Sequence, residues 1–137
     1  MILNYDTRFG TFISRQNRFI AHIDIDGEKV ISHVPNTGRL KELLIPGAPV
    51  ILSFHPEESR KTKYELRMVK KNDSWVSIDS QLPNALAYEA VMGGIIKELS
   101  GYTQIKKEVA YQNSRFDLRL TGEDGQICFV EVKGVTL

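Results

Sequence analysis

The chain has a single cysteine among 137 residues, so no disulfide can form within it. Cys128 sits in the apolar run Ile127-Cys128-Phe129-Val130, where a thiol serves as a small packing group. The histidines His22, His33 and His55 are scattered without the pair spacing of a zinc site, and no zinc centre is expected. No apolar run approaches the roughly 18 residues of a membrane span. The start, Met1-Ile2-Leu3-Asn4-Tyr5-Asp6, lacks the basic opening and long apolar core of a signal peptide. A cytoplasmic location without membrane contact is the expectation. An excess of one charge is lacking as well: 18 Lys and Arg stand against 17 Asp and Glu, a formal net charge of +1. Whole-molecule attraction to a polyanion is therefore weak, and any basic binding surface has to be local.

What is present is a globular composition, 42% hydrophobic and 26% charged. Basic residues cluster in two places, Arg60, Lys61, Lys63, Arg67, Lys70 and Lys71, and again Lys106, Lys107, Arg115 and Arg119. Such runs are often only solvated faces, so they support anion binding without establishing it.

From Arg8 to Lys71 short β-type runs alternate with turn residues. Phe19-Ile20-Ala21-His22-Ile23-Asp24-Ile25 leads into Asp26-Gly27, a hairpin signal, and Lys29-Val30-Ile31-Ser32-His33-Val34 returns. Thr37 is placed to cap a short helix through Leu40, Leu43 and Leu44, and Pro46-Gly47 turns the chain toward β-type runs at 50–54 and 64–69. About five strands with a helix after the third outline an OB-type barrel over 1–71; an SH3-like barrel has similar strand content. The polar stretch Lys70-Lys71-Asn72-Asp73-Ser74 is the expected boundary, with a second domain over 72–137. There Pro83 and Asn84 open a helix through Leu86, Tyr88 and Met92, and Gly93-Gly94 ends it. Strands at about 105–111, 115–121 and 127–135 follow, the last two joined by Glu123-Asp124-Gly125. The fold class is α+β: an N-terminal OB-type β-barrel followed by a partial αβββ domain.

The last run, Ile127-Cys128-Phe129-Val130-Glu131-Val132-Lys133-Gly134-Val135, reads as a strand buried on both faces that nevertheless carries two charges. Residues i and i+2 of a strand point the same way, about 6.6 Å apart, so Glu131 and Lys133 can act on one group. Buried charges need a partner or a metal. Pairing with the preceding strand, where Arg115, Asp117 and Arg119 alternate with Phe116, Leu118 and Leu120, brings Asp117 beside Glu131. Two carboxylates suit Mg²⁺ or Mn²⁺, leaving positions for water and a substrate phosphate. The metal would activate water, and Lys133 would orient it or offset charge on the phosphate. Glu89 falls on or beside the apolar stripe of its helix, where a solvated glutamate is not expected unless it reaches out to water from the stripe's edge. Arg15, Arg18, Arg39, Lys41 and Arg115 are candidate phosphate contacts. Phe19 either stacks on a base or, as its alternating strand suggests, belongs to the core. An E-x-K triplet is common by chance, and a plain surface ion pair is the alternative.

Asp117 followed by Glu131-x-Lys133 resembles the signature of the PD-(D/E)xK nuclease superfamily, in some members of which a helix glutamate joins the metal shell, the role the resemblance implies for Glu89. A more specific set runs in order along nearly the whole chain. It comprises Gly10-Thr11-Phe12-Ile13 with Arg18-Phe19, Pro35-Asn36-Thr37-Gly38-Arg39-Leu40, Pro46-Gly47, Leu82-Pro83-Asn84, Asn113-Ser114-Arg115-Phe116-Asp117, and Val130-Glu131-Val132-Lys133-Gly134-Val135-Thr136-Leu137. On these residues the chain resembles the sugar fermentation stimulation protein A family. The resemblance implies an OB-type domain, a nuclease-like PD-(D/E)xK domain, non-specific DNA binding and a regulatory part in sugar metabolism. The family's acidic and lysine positions fall on Asp117, Glu131 and Lys133.

The superfamily core is αβββαβ and the family continues past the E-x-K strand, whereas this sequence reaches Leu137 there. The expectation is a fragment, or a sheet completed by a homodimer partner or strand exchange through the C-terminal part. Three functions remain open: a Mg²⁺-dependent DNA endonuclease or its truncated relative, a DNA-binding regulator that keeps the site without cleaving, and an OB-type carbohydrate or protein-interaction module.

Overall fold

A computed structural model describes residues 1–136. The chain divides into two compact units, Ile2–Ser80 and Gln81–Val135.

The first unit is a barrel of β1 (Asp6–Arg15), β2 (Ile20–Ile25), β3 (Glu28–His33), β4 (Pro49–Phe54) and β5 (Tyr64–Lys71), extended by β6 (Ser74–Ser77). The strand order is β3-β2-β1-β4-β5-β6, and a short parallel pairing of Ser32 with Tyr64 and His33 with Glu65 closes β3 on β5. This is the OB arrangement expected from the strand count. Alternate positions supply the interior: Phe12, Ala21, Ile23, Val50, Leu52, Leu66 and Val69 are buried. Asp26 and Gly27 both adopt positive φ, 53° and 86°, the conformation a two-residue hairpin turn requires. Gly10 allows β1 to lie against β2, since a Cβ there would sit 2.7 Å from the Asp24 carbonyl oxygen and 2.7 Å from Ile23 Cγ2.

Two expectations for this region are corrected. No helix forms after Thr37; the chain makes a single turn in which the Leu43 and Leu44 amides both donate to the Leu40 carbonyl, with Leu40 at φ 51°. The reason is tertiary: the carbonyls of Asn36, Gly38 and Arg39 point at the Arg15 guanidinium instead of along a helix axis. The polar stretch after Lys70 is a tight turn instead of a linker. Asn72 takes φ 54°, β6 pairs back on β5 from Lys71–Ser74 to Met68–Ser77, and Ile78 is fully buried in the barrel core. The first unit therefore runs to Ser80, beyond the boundary at 71.

The second unit begins with α1 (Leu82–Met92), which carries Pro83 in its first turn and ends at Gly93. A 3-10 turn, Lys97–Leu99, leads to β7 (Tyr102–Tyr111), β8 (Ser114–Gly122) and β9 (Ile127–Val130), an antiparallel sheet in the order β7-β8-β9. Val91, Leu118 and Leu120 form its core, with Tyr88, Ile105, Cys128 and Val130 packed against them. Cys128 is thus a packing residue. The third strand is shorter than expected: β9 stops at Val130, and 131–136 leaves the sheet. Among the described residues no helix is long and apolar enough to cross a membrane.

Candidate functional site

Asp117 lies in β8, one residue before Leu118, whose partner Val130 is the last paired residue of β9. Its carboxylate accepts two hydrogen bonds. The Val132 backbone N–H donates to Oδ2 at 2.7 Å, and the Asn84 side-chain amide, from the first turn of α1, donates to Oδ1 at 2.9 Å. Gly134 is packed on the same helix start, where a Cβ would meet Pro83 Cγ at 2.8 Å. The segment after Val130 therefore bends toward α1, held by a side chain where a ladder would have held it straight.

Glu131 and Lys133 flank the tethered Val132 and pair with each other. They are exposed, with side-chain accessibilities of 53% and 74%, so the expectation of two charges inside a buried strand is corrected. They escape burial because their segment is no longer part of the sheet. The hydrogen bond from Lys133 to Glu131, the Glu131 charge and that of Asp117 raise the lysine above its ordinary value, which favours the ammonium form. Glu89 is exposed on α1 and does not lie in the apolar stripe.

The carboxylate oxygens of Asp117 and Glu131 are of the class hard divalent cations select. Among the described residues, however, no three His, Cys, Asp or Glu side chains form a group that would hold a metal ion. The donor chemistry fits Mg²⁺; Asp117, Glu131 and Glu89 are not gathered as a triad in this arrangement.

Sequence reasoning passed over three neighbours of Asp117. Asn84 reads as a helix opener, Lys107 as one of a basic run, and Glu108 as an ordinary strand residue. All three line, with Asp117 and Gln81, a cavity of about 280 Å³. Glu108 stands across from Asp117, between the pairs Lys107–Leu118 and Val109–Phe116, yet has φ 54° inside β7. That left-handed conformation is uncommon for a residue other than glycine. Its carboxylate holds Arg115 Nη2 at 2.7 Å, and Lys107 Nζ lies 3.8 Å from the centroid of the Tyr88 ring. The only sequence signal was a glutamate opposite Asp117 in the hairpin register.

In the first unit, Arg15, Arg18, Arg39 and Lys41 line one open groove of about 680 Å³ with no carboxylate among its described lining residues. Arg15 is engaged structurally. Its Nη1 donates to the carbonyls of Gly38 at 2.5 Å and Arg39 at 2.9 Å, and its Nη2 to those of Arg18 and Asn36, both at 2.6 Å. Burial, with the nearby Arg18 charge, lowers its pKa from the ordinary arginine value. Arg18, Arg39 and Lys41 are exposed. Arg115 belongs to the other unit, in its pair with Glu108. Phe19 is 51% exposed, not a core residue. It precedes β2 in a turn whose Phe19 N–H is taken by the Asn17 side chain at 2.8 Å.

Comparison with known proteins accounts for both units. The SfsA N-terminal OB domain matches residues 13–78, and the sugar fermentation stimulation protein RE domain matches 81–137. A sugar fermentation stimulation protein homolog of Caldanaerobacter subterraneus subsp. tengcongensis is 48% identical over 137 residues, all of this chain and 59% of that protein. One from Thermoanaerobacter sp. is 47% identical over 138 residues, again all of this chain and 60% of the relative. Among solved structures, Pyrococcus furiosus SfsA in complex with Ca²⁺ is similar with a TM-score of 0.78 at 28% identity, over 96% of this chain and 56% of that one. The chain thus spans under two thirds of the length of these relatives. With both family domains matched in order and a relative aligned along every residue, the chain belongs to the sugar fermentation stimulation protein family.

Proposed function

We propose that the protein binds DNA without sequence preference and that its Gln81–Val135 unit carries a metal-dependent nuclease-type site formed by Asp117, Glu131 and Lys133. The observation that carries this reading is the bond from the Val132 N–H to Asp117. It fixes the first acid to the middle of the Glu131-Val132-Lys133 triplet, so residues distant in sequence form one polar site. Asp117 and Glu131 would hold Mg²⁺ or Mn²⁺. The solved Pyrococcus relative contains Ca²⁺, a cation with the same preference for oxygen. Bound there, the metal would supply Lewis acidity toward a phosphate and its attacking water.

Lys133 acts as a fixed cation in this scheme. An ammonium at neutral pH, it offsets charge gathering on the phosphate. Binding to the phosphate backbone falls to Arg18, Arg39 and Lys41 in the barrel unit and to Arg115 in the second. The exposed Phe19 ring is available for stacking on a base. A part in sugar metabolism agrees with the name its relatives bear, sugar fermentation stimulation protein homolog.

A second reading has its own support. Both Asp117 oxygens are already hydrogen-bonded, which suits a DNA-binding regulator that keeps the site without cleaving. One experiment separates the two: DNA is incubated with the chain in Mg²⁺, with and without Lys133→Ala, while binding is followed by anisotropy over a range of salt. Lysine-dependent cleavage supports the enzyme. Equal binding by both proteins without cleavage supports the regulator, and an affinity that ignores salt, or no affinity, sinks the DNA-binding reading itself.

A further inference from the structure

The groove lined by Arg15, Arg18, Arg39 and Lys41 has more structure than a polyanion surface requires. A protein that follows a phosphate backbone needs exposed cations and little else. Here the cations surround a volume of about 680 Å³, within the roughly 300–1,000 Å³ typical of small-molecule sites. The remaining lining is of two kinds. Phe12, Ile13, Leu44 and Pro46 are apolar, whereas Asn17 and Thr37 offer an amide and a hydroxyl.

Arg15 sets the electrostatics of this space. Its guanidinium is held by four backbone carbonyls and no carboxylate. Carbonyl dipoles solvate such a charge without cancelling it. Its Nε is buried with no hydrogen-bond partner among the described residues. With no Asp or Glu in the described lining, the wall keeps a net positive field in a chain whose overall charge is only +1. The same side chain pins the turn at Arg18 to the segment Asn36–Arg39, so the two walls are fixed before any ligand arrives.

We propose that this groove is a pocket for one nucleoside monophosphate, its phosphate held by Arg18, Arg39 and Lys41 and its base laid against Ile13, Leu44 and Pro46. The apolar part selects a base over a sugar phosphate, whose hydroxyls would meet too few polar partners. A free nucleotide and a single nucleotide within a strand present the same chemistry. The second source rests on the DNA-binding reading; the first does not.

The test is a titration of the isotope-labelled chain, followed by amide NMR, with AMP, inorganic phosphate and glucose 6-phosphate as probes. AMP is expected to shift the amides of 15–18 and 37–41 saturably and to bind at least about tenfold more tightly than the other two, the ratio that one buried base contact supplies. Arg39→Glu and Lys41→Glu, both at exposed positions, are each expected to weaken AMP about tenfold or more with the rest of the spectrum unchanged. A short oligothymidylate is then added. Displacement of AMP identifies the strand nucleotide, and simultaneous binding identifies the free one; both support the pocket. Equal affinity for all three probes, or AMP shifts that ignore both substitutions, overturns it. Affinity for DNA with no response to AMP overturns the pocket alone, and AMP binding without affinity for any DNA overturns the DNA-binding reading alone.

Discussion

Asp117 accepts the Val132 backbone N–H at 2.7 Å, a bond that stands where a β-ladder step would otherwise be. The register of β8 and β9 ends at Leu118 and Val130, and one more step would set Asp117 opposite Glu131. The carboxylate instead takes the amide two residues on, while Asn84 holds its other oxygen. Asp117, the first acid of the proposed site, is therefore also the residue that ends the strand and ties it to α1.

Asp117→Asn keeps the shape and removes the charge. The bond from Val132 becomes neutral, and one amide group must now face the Asn84 amide. A hydrogen bond to a charged group is worth about 1.5–3 kcal/mol, so exchange of the Val132 amide is expected to speed up by at least about tenfold. Unchanged protection at Val132 would show that the bond does not hold the segment.

The barrel was legible because its strands obey a period of two and Asp26-Gly27 permits only one kind of turn. α1 was legible from Pro83 at its start and Gly93 at its end. The errors have another origin. Thr37 to Leu44 has a helical pattern, but Arg15, more than twenty positions away, takes the carbonyls a helix would need. β9 ends early because a side chain from β8 captures its next amide, and the left-handed Glu108 leaves no trace in residue type. Such side-chain captures of the backbone depend on the finished fold, which local pattern does not encode.

Arg15→Lys tests that capture. A lysine keeps the charge but not the planar fork that reaches carbonyls on two sides at once. The barrel unit is expected to lose about 2–4 kcal/mol, read as a lower denaturant midpoint. Wild-type stability in the lysine variant would mean that charge alone suffices.

Gly10→Ala sets two effects against each other. Alanine lowers the entropy of the unfolded chain and by itself favours the strand by about 0.5–1 kcal/mol. The added methyl would stand 2.7 Å from both the Asp24 carbonyl oxygen and Ile23 Cγ2, and neither can move without shifting β2. The clash wins: a net loss of about 1–3 kcal/mol is expected from chemical denaturation. A neutral or stabilised variant would show that β1 and β2 separate more easily than their packing implies.

Glu65 gives the barrel its acid response. Its side chain, 14% exposed, receives Arg60 Nη2 at 2.9 Å and lies 3.3 Å from Arg67 Nη1, with His33 Nδ1 at 4.0 Å and His55 Nε2 at 3.8 Å. Burial pushes the carboxyl up, but the Arg60 hydrogen bond and the charges of Arg67, Arg60 and His33 outweigh it, so the group ends below its ordinary value. A depressed acid stabilises the fold above its unfolded pKa, about 4.3 for glutamate, and that contribution fades as pH falls through the lower folded value. Glu65→Gln is therefore expected to be less stable than wild type at neutral pH, with the difference constant down to about pH 5 and shrinking below about pH 4. Denaturation midpoints of both proteins across this range check it. A difference that stays constant into strong acid would mean that the protonated carboxyl serves there as well as the carboxylate, and that the charge on Glu65 contributes nothing to the closure of β3 on β5.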